Sequence, residues 1–167
     1  MRRIAAFTTN PIAIAMIAML AVSGCASKKA PNSAADLGLN ANNATPGSSQ
    51  DFTLNVGDRI FFDTDSSVIR PDAQTTLAKQ AQRLNRYPNY KITVEGHADE
   101  RGTREYNIAL GARRAAATRD YLAAQGVPAN RMRTISYGKE KPVALCDDIS
   151  CQTQNRRAVT VLGGQGS

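Results

Sequence analysis

KITVEGHADERGTREYNIALGARRAAATRDYLAAQG, residues 91–126, holds a strand, a loop and a helix in one run. Lys91 to Glu95 alternates. Ile92 and Val94 go one way and Thr93 and Glu95 the other, the period of a half-buried strand. Gly96 to Gly102 is a loop. Thr103 to Gln125 reads as a long amphipathic helix, with Gly126 as its C-terminal cap and Pro128 beyond. Asn107, Leu110, Gly111 and Arg114 are offset so that they form one stripe over two turns. Gly111 costs roughly 1 kcal/mol against alanine inside a helix. It makes sense if something approaches the helix backbone closely, either a ligand or the sheet.

Working outward, Asp58 to Asp63 reads as a first strand and Asp65-Ser66-Ser67 as a turn. Pro71 stands where a first helical residue is tolerated. Ala73, Leu77, Ala81 and Leu84 follow at helical spacing until Tyr87-Pro88 stops the helix. Met132 to Tyr137 is a third strand, broken by Gly138. Arg157 to Leu162 is a fourth, rich in β-branched residues. The order strand, helix, strand, helix, strand, loop, strand predicts an α+β fold, with two main helices on one face of a small mixed sheet.

The N-terminus has the layout of an export leader. Met1-Arg2-Arg3 is positive and Pro11 to Val22 is an uncharged apolar run too short for a confident membrane span. Val22-Ser23-Gly24-Cys25 resembles the bacterial lipobox, which predicts a signal peptide over 1–24. Cys25 then becomes the first residue and carries an S-linked diacylglycerol and an N-linked palmitoyl chain. Stable anchoring needs more than one chain, and this arrangement supplies three. No aspartate follows Cys25, which points to the outer membrane. Residues 25–50, rich in Ala, Asn, Ser, Gly and Pro, are expected to be a flexible tether, and 51–167 the folded domain. Export places Cys146 and Cys151 in an oxidising compartment, where a local disulfide is expected.

The chain of 167 residues carries a formal net charge of +7. That balance favours anionic partners, but acids and bases are interleaved and no basic patch is mixed with aromatics, so nucleic-acid binding is set aside. Catalysis scores poorly. His97 is the sole histidine, and no local motif supports a triad with Asp99 and Ser136. Glu95, Asp99 and Glu100 are more simply structural or solvated than a glycosidase pair. Cys146, Cys151 and one distant histidine are too few ligands for zinc. Neither metal nor cofactor is expected. Asp99 and Arg114 are left as either a plain ion pair or two sides of a pocket for a zwitterion.

Four motifs turn this choice: IFFDTDSSVIRPDA (60–73), VEGHADERGTREYNIALGARRA (94–115), ISYGKEKP (135–142) and QNRRAVTV (154–161). In this order they resemble the OmpA-like peptidoglycan-binding domains. The CDDISC loop departs from that pattern. The resemblance implies non-covalent binding of the diaminopimelate-containing stem peptide of peptidoglycan, without turnover. The ligand residues it implies are Asp65, Asp99 and Arg114, with Asn107 and Leu110 beside them. Asn155 and Arg157 would border the site, Arg156 less clearly so, and Thr64 takes a position often aromatic in the family. The resemblance also implies TolB and other Tol-system proteins as partners, with TolB near Glu100, Arg101, Arg104 and Glu105.

Overall fold

The computed structural model describes residues 44–146 and 148–165. The expected leader, Cys25 and the tether up to residue 43 lie outside the described residues. Four strands, β1 (Arg59–Phe61), β2 (Tyr90–His97), β3 (Met132–Gly138) and β4 (Arg157–Gln165), form one sheet in the order β1-β4-β2-β3. β4 runs antiparallel to both neighbours, and β2 and β3 are parallel. The helices are α1 (Ser49–Asp51), α2 (Pro71–Arg86), α3 (Arg104–Ala124) and α4 (Ile149–Asn155). This is the expected mixed α+β sheet. Among the described residues no helix is long and apolar enough to cross a membrane.

The alternation in β2 decides which face is covered. Ile92 and Val94 are buried, while Thr93 and Glu95 stay partly exposed. Leu77, Ala81 and Leu84 of α2 and Ala115 and Leu122 of α3 pack with Ile92 and Val94 into one core, joined by Phe52, Ile60 and Phe62. Pro71 opens α2 with its missing N–H at no cost. Thr103 caps α3, its hydroxyl accepting from Tyr106 N at 3.2 Å. A parallel β2–β3 pair needs a crossover, and α3 supplies it.

Two expectations on extent differ. Ala44 is buried and Gly47 packs on the Tyr87 ring, so the chain joins the domain ahead of residue 51. Ser48 caps α1 through Asp51 N, and a π-helical turn, Phe52–Val56, follows. Its buried Phe52 belongs to the core. α4 lies where a plain loop was expected. Asp148 caps it by accepting from Ser150 N at 2.8 Å and Cys151 N at 3.3 Å. A disulfide joins Cys146 to Cys151 across its start, with Cα atoms 5.7 Å apart. Seven residues are too few to show an apolar period, so cap and cross-link carry this helix rather than its pattern.

Candidate functional site

Gly96 and Gly111 fix where α3 crosses the sheet. A Cβ on Gly96 would stand 1.8 Å from the Gly111 carbonyl oxygen, and one on Gly111 would stand 2.4 Å from Ser136 Oγ. The close approach inferred at Gly111 is therefore to the sheet, not to a ligand. Ser136 Oγ donates to Ile108 O at 2.7 Å, which pins β3 to the same turn of α3.

With α3 seated, its first turns form one wall of a cleft of about 310 Å³. Thr64 and Asp65 come from the β1–α2 loop, Asp99, Arg101 and Gly102 from the β2–α3 loop, and Tyr106, Asn107 and Leu110 from α3. Four of the five expected ligand residues thus share one cleft: Asp65, Asp99, Asn107 and Leu110. Asp65 has φ 53°, the one non-glycine residue with positive φ among those described. Aspartate tolerates this left-handed conformation better than most residues, and such strain gathers at binding sites. The Asp65 carboxylate accepts from the Tyr106 hydroxyl, which holds the phenol above its ordinary range.

Asp99 is almost fully buried and its Oδ2 accepts from Arg101 at 2.5 Å and Arg156 at 3.2 Å. Burial pushes its carboxyl up. The hydrogen bonds and charges of the two arginines outweigh that and leave it below the usual carboxylate range. Asn107 is buried beneath the loop, its Nδ2 donating to Arg101 O at 2.7 Å. It shapes the wall more than it faces the opening.

Arg114 is not where a direct Asp99–Arg114 pair would put it. Its side chain has no exposed surface. Nε donates to Ser66 O at 2.8 Å, Nη1 to His97 O at 2.8 Å and Nη2 to Asp63 O at 3.1 Å. The guanidinium also lies 5.2 Å from the Phe62 ring centroid. Burial lowers its pKa to about 10, against the pull of Asp99, so it stays charged at neutral pH. The reason for the difference is that three carbonyls of two loops converge on its planar fork. Arg114 ties the β1–α2 loop to the β2–α3 loop and sets the spacing between Asp65 and Asp99.

The NRR motif also divides differently. Arg156 reaches Asp99, and its Nε donates to Phe62 O at 3.2 Å. Arg157 turns away to Lys141 O at 3.1 Å, as the next residue entering a strand should. Asn155 braces the preceding loop, accepting from Val143 N at 2.9 Å and donating to Ala144 O at 2.8 Å. Tyr106 was not foreseen. Its place four residues before Leu110 on the α3 stripe was the available signal. Glu100, Arg101, Arg104 and Glu105 are exposed; Arg101 lines the cleft, Glu100 lines a separate one, and Arg104 pairs with Glu140 at 3.1 Å.

His97 is buried, and neither ring nitrogen has a hydrogen-bond partner. Burial, with Arg157 and Lys141 adding to it, lowers its pKa to about 4. It is neutral at physiological pH, so Glu95 Oε2 at 3.7 Å is a neighbour and not an ion-pair partner. No hydroxyl or thiol is hydrogen-bonded to it. Cys146, Asp148 and Cys151 lie close together, but both sulfurs are in the disulfide and offer no thiolate to a metal.

The cleft presents two carboxylates beside Arg101, with Arg156 and Arg114 underneath. Such a mixture suits a ligand carrying both an ammonium and a carboxylate. Residues 61–156 match the OmpA family. The whole chain aligns at 74% identity with the whole of a peptidoglycan-associated lipoprotein of Mesorhizobium japonicum. With that of Brucella melitensis it is 73% identical over 99% of each. The crystal structure of the peptidoglycan-associated lipoprotein from Burkholderia pseudomallei superposes with a TM-score of 0.65 at 40% identity, covering 70% of this chain and 100% of that one.

Proposed function

The chain belongs to the OmpA family, among the peptidoglycan-associated lipoproteins, and from that premise we propose that its cleft holds the diaminopimelate-containing stem peptide of peptidoglycan. The observation that carries this reading is the convergence of Asp65 and Asp99 on one cleft with Arg101, which bonds Asp99 at 2.5 Å and Thr64 at 3.4 Å. The ligand's side-chain ammonium meets the Asp65 and Asp99 carboxylates. Its carboxylate meets the Arg101 guanidinium and the N-terminal turn of α3, where the Arg104 and Glu105 backbone N–H groups precede the first helical bonds and Tyr106 N is already taken by the Thr103 cap. Asn107, Leu110 and Arg114 hold these groups at their spacing. The stem peptide leaves unchanged, because the one imidazole is buried, neutral and bonded to no nucleophile.

The proposal extends to the rest of the envelope. Cys25, acylated, anchors the chain in the outer membrane, and the domain in the periplasm grips the wall. TolB and the Tol system are the partners, in envelope integrity and cell division, with Glu100, Arg101, Arg104 and Glu105 as the docking rim. Arg101 would serve both ligands, which makes wall and TolB exclusive occupants.

Sedimentation with purified sacculi tests the cleft. Asp65→Asn and Asp99→Asn, each checked for its circular dichroism, should lose at least about tenfold in bound fraction, as loss of a charge-assisted hydrogen bond predicts. Full binding by both variants defeats the proposal. In the full chain, Cys25→Ser should release the protein from membranes, and labelled palmitate still entering that variant defeats the anchor.

A further inference from the structure

At the other end of α2 the structure carries a second cleft, of about 320 Å³, lined by Asn55, Val56, Lys79, Gln82, Arg83 and Arg86. The last four are spaced so that they form a single stripe over two turns of the helix. Lys79, Gln82 and Arg86 are exposed. Asp51 is the acid that bonds this stripe, and it is buried and used up: it accepts from Gly47 N at 2.8 Å, Asn55 Nδ2 at 2.7 Å and Arg83. Among the described residues Lys79 and Arg86 enter no ion pair. No carboxylate lines this cleft. Leu54, 41% exposed, stands beside it on the π-helical turn.

Two facts orient this face. The first is where the chain enters. Gly47 packs so tightly on the Tyr87 ring that a Cβ would come within 2.4 Å of it, and Arg83 stacks over the same ring at 5.3 Å. The path from Cys25 therefore joins the domain directly beside the cationic stripe, and from Cys25 to Gly47 it reaches no further than about 75 Å. The second is distance from the wall cleft. Arg70, at the start of α2, bonds Asp63 on the β1–α2 loop at 3.3 Å. Lys79 and Arg86 lie in the later turns of a helix roughly 24 Å long. The two clefts share no residue and sit toward opposite ends of α2.

From the cleft, its unpaired cations and the chain entry beside it, we infer that Lys79, Arg83 and Arg86 form a docking face for the phosphate head groups of an anionic lipid bilayer. The occupant is the surface of the membrane in which Cys25 is anchored, so the inference rests on the anchor proposed above for its setting. A domain hung from one point presents the face around that point to its support. Here that face is cationic, has an apolar residue at its rim and shares no lining residue with the wall cleft. The Arg83–Asp51 bond leaves part of the Arg83 fork free, while Lys79 and Arg86 are wholly available to phosphate oxygens. Contact with the membrane and grip on the wall are then compatible in one molecule.

The test uses residues 26–167, which lack the leader and the acylated cysteine. The solved relative, all of it matched by 70% of this chain, shows that the domain folds without them. Flotation is read with phosphatidylethanolamine–phosphatidylglycerol vesicles and with phosphatidylcholine vesicles. The parent should float with the anionic vesicles only, and Lys79→Glu/Arg86→Glu should reduce the bound fraction at least about tenfold. Sacculus sedimentation by the double variant should be unchanged. Equal flotation of parent and double variant, flotation with neutral vesicles, or preference for polyglutamate over anionic vesicles overturns the inference. Full displacement by millimolar inorganic phosphate would assign the cleft to the free ion and overturns it as well. Because no acylation is involved, a negative result here leaves the Cys25 anchor standing, and a failed palmitate label leaves the vesicle result standing.

Discussion

Arg114 commits its guanidinium to the backbone, and that makes it a sensitive point for the fold as well as for the site. Three carbonyls depend on one planar fork. In Arg114→Lys a single ammonium cannot reach all three, so buried acceptors are left bare. Urea unfolding should show a loss of about 2–4 kcal/mol, and unchanged stability would contradict the tie between the two loops. His97 gives a different signature. The unfolded imidazole takes a proton near pH 6.5, but the folded one resists until about 4. Across that window the unfolded chain binds more protons, so stability falls as pH drops from 6.5 to 4, by up to about 3 kcal/mol. Asp99, held below its ordinary 3.8, adds an effect of the same sign only at lower pH. In His97→Phe the upper slope should vanish in urea titrations at stepped pH, and a surviving slope would put its source elsewhere. The stripe of Asn107, Leu110, Gly111 and Arg114 was legible from spacing. What each side chain meets was not, because two of the three carbonyls that claim Arg114 lie 48 and 51 residues upstream and the third 17, and none leaves a mark on the helix's own pattern.

At the scale of elements, β2, α2 and α3 could be read because each is long enough to repeat its period. The helical segment 49–56 and α4 span about two turns each, too few to repeat a period, and depend on caps, a disulfide and tertiary contacts. The glycines between α3 and β2 were half legible: spacing demanded a close approach and could not say to what. The sheet answers it, and the answer has a cost attached. Gly111→Ala gains up to about 1 kcal/mol in helix propensity. Its methyl must displace Ser136 Oγ and the Gly96 carbonyl, an overpacking worth roughly 1–3 kcal/mol or more. The net effect should be a lower melting temperature with weaker sacculus binding, since α3 carries Tyr106 and Asn107 away from the loops. A variant as stable as the parent would show that the helix slides without loss.

For the whole molecule, the boundary of the domain follows from packing and not from composition. Residues 44–50 share the Ala, Ser, Gly and Pro bias of the segment before them, so nothing in their composition separates them from it. Yet Ser48 caps α1, and Asp51 binds Arg83. A chain starting at Ala44 should unfold like residues 26–167. One starting at Gly57 loses the buried Phe52 and should be weaker by about 3–5 kcal/mol, the cost of emptying such a site. Equal melting temperatures for the two would return the boundary to the composition break. Among the described residues the helices and strands lie between 49 and 165.

β4 is the last strand to be made and stands between the first two in the sheet. β1 has no other partner, and β2 keeps only its parallel edge until β4 arrives. Made N-terminus first, the chain can form helices early, but the sheet stays open along its middle until residues 157–165 are in place. The topology is a timer. It holds the sheet open for nearly the whole of synthesis, then closes the fold and completes the Arg156 side of the cleft in the same final step.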